Sequence, residues 1–243
     1  MADLLILFLS GVLGGILTGL LGIGGGIVYV LILPYIFLNS GIAGDYIVQF
    51  TIANSLFGIF FASLAANITN LLYRDFYLKE SLIVGLSGAI SAIIILKALV
   101  NKPFYSALYF NGILVLLFIY MLISAMLKFN RKKTEGDTSG KQSLLGIAGG
   151  AGGILSAMTG GGGGVIIVPI LTVKLKMDIK NAKSISLAMI LLTSLGVSVM
   201  NLLESVPQQT YHYQAGFIYF PVALPLVMGV LVGSPLGVKM GRI

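Results

Sequence analysis

The chain has 243 residues, of which 57% are hydrophobic and only 9% charged, with a formal net charge of +7; so little charge cannot cover a water-soluble domain and excludes one. The lack of cysteine removes disulfides, thiolate chemistry and cysteine metal sites, and one histidine, His212, leaves no histidine cluster for a metal. Most of the positive charge falls in short loops between apolar runs, where it reads as membrane topology rather than as a nucleic-acid footprint, so membrane lipid is the expected surrounding and no nucleic acid is expected.

In chain order, the first apolar run, Leu4 to Leu21, follows Met1-Ala2-Asp3 with no basic region ahead of it, and reads as a retained helix rather than a cleaved signal. A glycine break follows, then Ile27 to Leu38, with Pro34 expected to kink this segment or end it near the surface. The span Ile47 to Leu71 carries Gln49, Thr51, Asn54, Ser55, Ser63, Asn67 and Asn70, polar groups that must find partners inside a bundle or face a polar cavity. Arg74, Asp75, Lys79 and Glu80 mark a loop, and Ser81 to Leu99 offers Gly85, Gly88, Ala89 and Ala92 as a close-packing face. Phe104 to Leu127 is the next span, with aromatic anchors at its ends.

Residues 128–141, KFNRKKTEGDTSGK, have the composition of a cytoplasmic linker between a first membrane repeat, 1–127, and a second, 142–243. The second repeat opens with Gln142 to Leu171, again broken by glycines, and its loop holds Lys174, Lys176, Asp178, Lys180 and Lys183. Ser184 to Leu203 and Gly216 to Val238 complete it, the latter with Pro221, Pro225 and Pro235.

The two halves repeat one another. GGILTGLLGIGGGIVYVLILP at Gly14 to Pro34 returns as GGILSAMTGGGGGVIIVP at Gly152 to Pro169, which lays Gly22, Gly24, Gly25 and Gly26 on Gly160, Gly162, Gly163 and Gly164. Beyond the tracts, Ser55, Ser63 and Asn70 fall on Ser186, Ser194 and Asn201, and Gly85 can be laid on Gly229. The helix from Phe104 has no counterpart, so the second repeat is expected to lack its last helix. Neither tract follows G-x-G-x-x-G or carries the G-K-[ST] of a phosphate loop. Lys and Arg counts put the linker inside, the first repeat entering from outside and the second from inside. The expected fold is therefore an all-α polytopic membrane protein: two inverted-topology repeats with glycine-broken helical hairpins and about nine helical segments.

Broken helices expose backbone N–H groups and the partly positive ends of helices, which hold a small anion without a buried arginine. The candidate binding set is the eight glycines above with Asn54 and Ser55 from the first half and Thr159, Ser184 and Ser186 from the second, Gln49 and Thr51 being weaker candidates. No catalytic or metal site and no cofactor is expected, and without a convergent nucleophile and base an enzyme is disfavoured. A secondary carrier is the leading reading, coupled to a proton, another ion or the membrane potential, with oligomeric state open. An anion channel with glycine-rich re-entrant filter segments is the alternative.

GLLGIGGGIVYVLILP together with GGILSAMTGGGGGVIIVPIL, each followed by a Ser-containing helix, resembles the sulfite exporter TauE/SafE family of membrane permeases. The resemblance covers nearly the whole chain. It implies transport of a small sulfur-containing anion such as sulfite, sulfoacetate or a related sulfonate across the bacterial cytoplasmic (cell inner) membrane, with the paired glycines lining the path. It also places a proline after each tract; Pro169 is in place, whereas Leu31 stands opposite it and Pro34 comes three residues later.

Overall fold

A computed structural model describes residues 2–42, 46–72, 77–102, 104–128, 141–206 and 211–241. Most of the expected linker, 129–140, lies outside these, as do Asp45, Arg74, Asp75, Pro103, Pro207 and Arg242. Among the described residues there are nine α-helices: α1 (Ala2–Leu21), α2 (Gly26–Asn39), α3 (Ile47–Leu72), α4 (Leu78–Ile95), α5 (Ala107–Lys128), α6 (Lys141–Thr159), α7 (Gly164–Pro169), α8 (Ile179–Leu203) and α9 (Phe220–Met240). Single π-helical turns extend α4 over Leu96–Val100 and α7 over Ile170–Lys174. A two-residue antiparallel pair, β1 (Gln214–Ala215) with β2 (Ile218–Tyr219), precedes α9 and is a departure from a purely helical chain. Among the described residues, six helices are long and apolar enough to cross a membrane.

Local chemistry sets several boundaries. Helix α8 starts at Ile179, five residues before the expected Ser184, because extended Asp178 caps it, its carboxylate accepting the Lys180 N–H at 3.3 Å. Lys180 and Lys183 thus stand on a helix and not in the loop expected for them. Pro34 sits inside α2, which continues to Asn39. Pro169 lacks the N–H that would extend a regular ladder, and the backbone passes into its π turn there.

Small residues let the helices meet backbone to backbone. Helix α1 lies along α9: a Cβ at Gly15 would sit 2.8 Å from Ser234 N and 2.9 Å from Val230 O, and Cβ atoms at Gly229, Gly233 and Gly237 would strike the Phe8, Val12 and Ile16 carbonyls. Helix α6 lies on α4 in the same manner, Gly149 against Val84 O and Gly153 against Gly88 O. The first helix of each half therefore packs on the fourth helix of the other, which is the exchange a two-fold relation demands. These contacts match Val84 with Leu226 and Gly88 with Val230, so the laying of Gly85 on Gly229 is two residues out of register.

The central helices α3 and α8 are in contact across the same relation. Asn67, late in α3, donates to Leu187 O, early in α8, whereas Asn54, early in α3, and Asn201, late in α8, both bond to Phe217. Helices α3 and α8 accordingly run in opposite directions, as inverted repeats require. Large apolar side chains such as Leu9, Leu13, Leu108, Leu116, Leu122, Met228 and Leu236 face outward, where lipid replaces water.

Helix packing generates a contrasting pair of variants. Gly233→Val drives a branched side chain into Val12 and should lower stability in detergent by about 1–3 kcal/mol or more. Gly146→Ala, with nothing within 4 Å, should be neutral or stabilising by up to about 1 kcal/mol. Thermal unfolding of both proteins checks this, and equal behaviour would show that α1 and α9 are not held by close approach.

Candidate functional site

The glycine tracts lie on one another. A Cβ at Gly24 would sit 2.7 Å from Gly161 O and 3.2 Å from Gly162 Cα, one at Gly26 would strike Gly160 O, and one at Gly164 would strike Gly22 O. The pairs 22 with 164, 24 with 162 and 26 with 160 describe two segments running antiparallel, back to back. Gly22 lies beside Lys183, in the second turn of α8, and Gly160 beside Ile52, in the second turn of α3. Each tract thus starts about 6–8 Å along a central helix from opposite ends of the bundle and runs toward the other.

Only glycine permits this approach. Gly24 and Gly162 have φ of 85° and 93°, and no side chain fits between them. Both tracts are buried. The repeat breaks at one position: Gly163 has φ 67°, whereas its counterpart Gly25 has φ −78°.

Two serines bind the halves together reciprocally. Ser55 Oγ on α3 donates to Gly160 O at 2.7 Å, and Ser186 Oγ on α8 donates to Gly22 O at 2.6 Å. Ser55 and Ser186 are counterparts, as are Gly160 and Gly22, so one interaction is made twice. These hydroxyls do not bond to the carbonyl one turn back, the usual local outcome, whereas Ser63 and Ser194 do bond within their own helices.

The amides are less well served. Gly22 N–H donates to Thr18 O and Gly160 N–H to Ser156 O, each at 2.9 Å. Thr159 Oγ1 donates to Leu155 O at 2.8 Å and accepts the Gly161 N–H at 3.1 Å. The N–H groups of Ile23, Gly24, Gly25, Gly162 and Gly163 find no acceptor among the described residues. Consecutive N–H groups without acceptors lie at the start of α2 and of α7, and backbone donors of that kind are what a bound anion generally uses. Ser156 Oγ, one turn before Gly160 and buried, also lacks a partner; its counterpart Thr18 bonds to Gly14 O.

Asn54 stands apart from the tracts. Its Nδ2 donates to Phe50 O (2.7 Å) and Phe217 O (3.0 Å), while its Oδ1 accepts the Tyr219 N–H (3.0 Å). It clasps the β1–β2 hairpin onto α3, helped by Phe217 N–H to Asn201 O and by the rings of Phe50 and Phe217 at 5.5 Å. Gln49 donates from Nε2 to Val100 O (3.0 Å) and Tyr105 O (3.4 Å), while its buried Oε1 has no partner among the described residues. Thr51 is fully buried with its hydroxyl unpaired. Ser184 is buried in a cleft with Lys180, Lys183 and Asn70, at the end of the bundle where tract one begins. Of the expected site residues the structure brings together all eight glycines, Ser55, Thr159 and Ser186, and leaves Asn54 and Ser184 to either side.

Tyr105 was not singled out for this role in the sequence. Buried in the loop between α4 and α5, its hydroxyl donates to Met158 O at 2.8 Å, beside tract two. Burial pushes its phenol up to about 12, which keeps it a proton donor at neutral pH. Aromatic rings close to a backbone break give no periodic signal, so only the fold could place it.

Comparison with known proteins agrees with this architecture. The chain is 29% identical over 250 residues to the probable membrane transporter protein MJ0441 of Methanocaldococcus jannaschii, an alignment covering 98% of this chain and 86% of that protein. It is 27% identical over 253 residues to the probable membrane transporter protein YunE of Bacillus subtilis, with 98% and 88% covered. No solved structure matches the chain. Residues 6–243 match the family model described as sulfite exporter TauE/SafE. This chain is accordingly a multi-pass membrane protein of the TauE/SafE family of transporters.

Proposed function

We propose that the protein is a secondary carrier of a small anion of the sulfite or organosulfonate kind, acting in the cell inner membrane. The observation that carries this reading is the pair of antiparallel glycine tracts with five unpartnered N–H groups between two inverted halves. Those donors suit a compact oxyanion, and an anion held by backbone dipoles needs no buried cation. Residues 1–127 and 142–243 are the two repeats, and 128–141 link them on the cytoplasmic side. Gly22, Gly24, Gly25 and Gly26 with Gly160, Gly162, Gly163 and Gly164 form the site. Thr159 orders the second tract, Ser55 and Ser186 fix the two tracts, and Asn54 acts from a distance through the hairpin. The family's transport role and the lack of a nucleotide motif favour passive coupling over an ATP-driven step.

The close backbone contact between the tracts supports a carrier that opens to one side at a time. A channel requires a continuous opening between re-entrant segments, and no observation here favours one.

Counterflow of labelled sulfite and sulfoacetate in proteoliposomes, with and without a pH gradient, tests the reading. Gly163→Val, forcing a branched residue to φ 67° against Gly152, should abolish uptake while the protein still inserts, and Gly25→Val should do the same by striking Gly14. Uptake retained by both variants would make the tracts packing devices only.

The serine pair makes a second, sharper expectation. Ser55→Ala and Ser186→Ala should slow counterflow to a similar degree, roughly fivefold for a net loss of about 1 kcal/mol per bond. Asn54→Leu should instead lower the unfolding temperature and leave the half-saturating anion concentration unchanged. A stable Asn54→Leu protein with weakened anion affinity would return Asn54 to the binding site.

A further inference from the structure

Behind each glycine tract, the first, second and central helices of a half close a niche, and the two halves fill it differently. In the first half the niche lies among Gly14 of α1, Tyr29 of α2 and Gly58 of α3. A Cβ at Gly14 would strike the Tyr29 ring, and one at Gly58 would sit 3.6 Å from it. In the second half the same repeat positions are Gly152 of α6, Ile167 of α7 and Met189 of α8. There the space is taken from the central helix as well, a Cβ at Gly152 lying 2.7 Å from the Met189 methyl and 2.9 Å from Ile167. One half uses a ring from its second helix, and the other a thioether from its central one.

The two fillings differ in how readily they yield. Tyr29 is fully buried, and its ring is a rigid body whose hydroxyl donates to Gly11 O at 3.5 Å. Met189 is equally buried, but an unbranched thioether can move its methyl without moving the backbone. That methyl is where three segments meet: it also lies 2.9 Å from a Cβ placed at Gly88 of α4 and 3.2 Å from one at Gly163 of tract two. Thr193, one turn along α8 from Met189, and Ser156, one turn along α6 from Gly152, keep buried hydroxyls without partners among the described residues. Thr193 Oγ1 is 3.0 Å from the same Cβ position at Gly88. In the first half Thr18, the counterpart of Ser156, bonds to Gly14 O, and Ala62 stands where Thr193 does. Unpaired buried hydroxyls favour any second packing that gives them partners.

We propose that Met189 is the positioning residue for tract two. Its methyl supports Gly163 at φ 67° and withdraws when that peptide turns toward the conformation that Gly25 holds, φ −78°. Tyr29 keeps tract one still, so tract two is the half that turns in response to bound anion. This rests on the anion-carrier reading above, in which the tract amides meet the anion. A ligand that prefers one of two packings shifts the protein toward it.

The test uses the full chain in detergent, labelled with carbon-13 at the methionine methyls, which gives NMR signals from nine methionines. Met189→Leu, a near volume-conserving change, identifies the Met189 signal by its disappearance, and Met189→Ile does so if the leucine protein does not fold. Sodium sulfoacetate should shift or broaden that signal, and sodium chloride at matched ionic strength should not. The signal of Met228, 63% exposed on the outer face of α9, should stay in place with both salts. Met189→Leu should also lower the maximal counterflow rate roughly fivefold, the size expected where a side chain couples two states, with an unfolding temperature close to the parent's. A parent that counterflows sulfoacetate while its Met189 signal ignores it overturns the proposal and leaves the carrier standing, as does a Met189→Leu protein with the parental rate. A signal that moves in a protein without counterflow sinks the carrier and keeps Met189 coupled to bound anion. No counterflow and no response removes both.

Discussion

A helix interrupted inside hydrocarbon leaves backbone donors and acceptors with no water to receive them. This chain interrupts two, and the rest of the fold answers that cost. Each tract's first carbonyl is taken by a serine of a central helix, Gly22 O by Ser186 and Gly160 O by Ser55. Because each serine belongs to one half and each acceptor to the other, neither half satisfies its own break. The tracts then press together so closely that only glycine fits, and several of their amides are left without an acceptor among the described residues. Those amides are what is left over after the fold has met as much of its backbone demand as it can.

The same economy of size builds the frame around the site. Gly11, Gly15 and Gly19 of α1 face Gly229, Gly233 and Gly237 of α9, while Gly149 and Gly153 of α6 face α4. In lipid there is no hydrophobic gain from bringing two apolar helices together, so close approach and dispersion have to hold them. Many of the chain's 32 glycines are spent on this packing, which is why glycine content alone does not mark the tracts as functional.

What was legible in the sequence is whatever repeats. The doubled GGIL, the four aligned glycines and the serine helices gave the helix order, the antiparallel halves and the pairing of Ser55 with Ser186. Features that depend on one copy alone were hidden. Asp178 as a cap, and with it the helical placement of Lys180 and Lys183, was masked by a run of charges that looks like a loop. The role of Asn54 depends on a hairpin far along the chain, whose two-residue strands are too short for any alternation to show. The register of α4 against α9 slipped by two because small residues recur along both helices, and small residues align with each other at several offsets.

Inverted repeats derive alternating access from an exchange of conformations between halves, so positions where the halves differ mark what has to move. One difference stands out here. Gly25 and Gly163, the same residue in the repeat, occupy opposite signs of φ, and exchanging them requires both to be glycine, since another residue would be strained in one state. Identical residues held in unlike conformations at one repeat position are what an exchange of states between two inverted halves calls for.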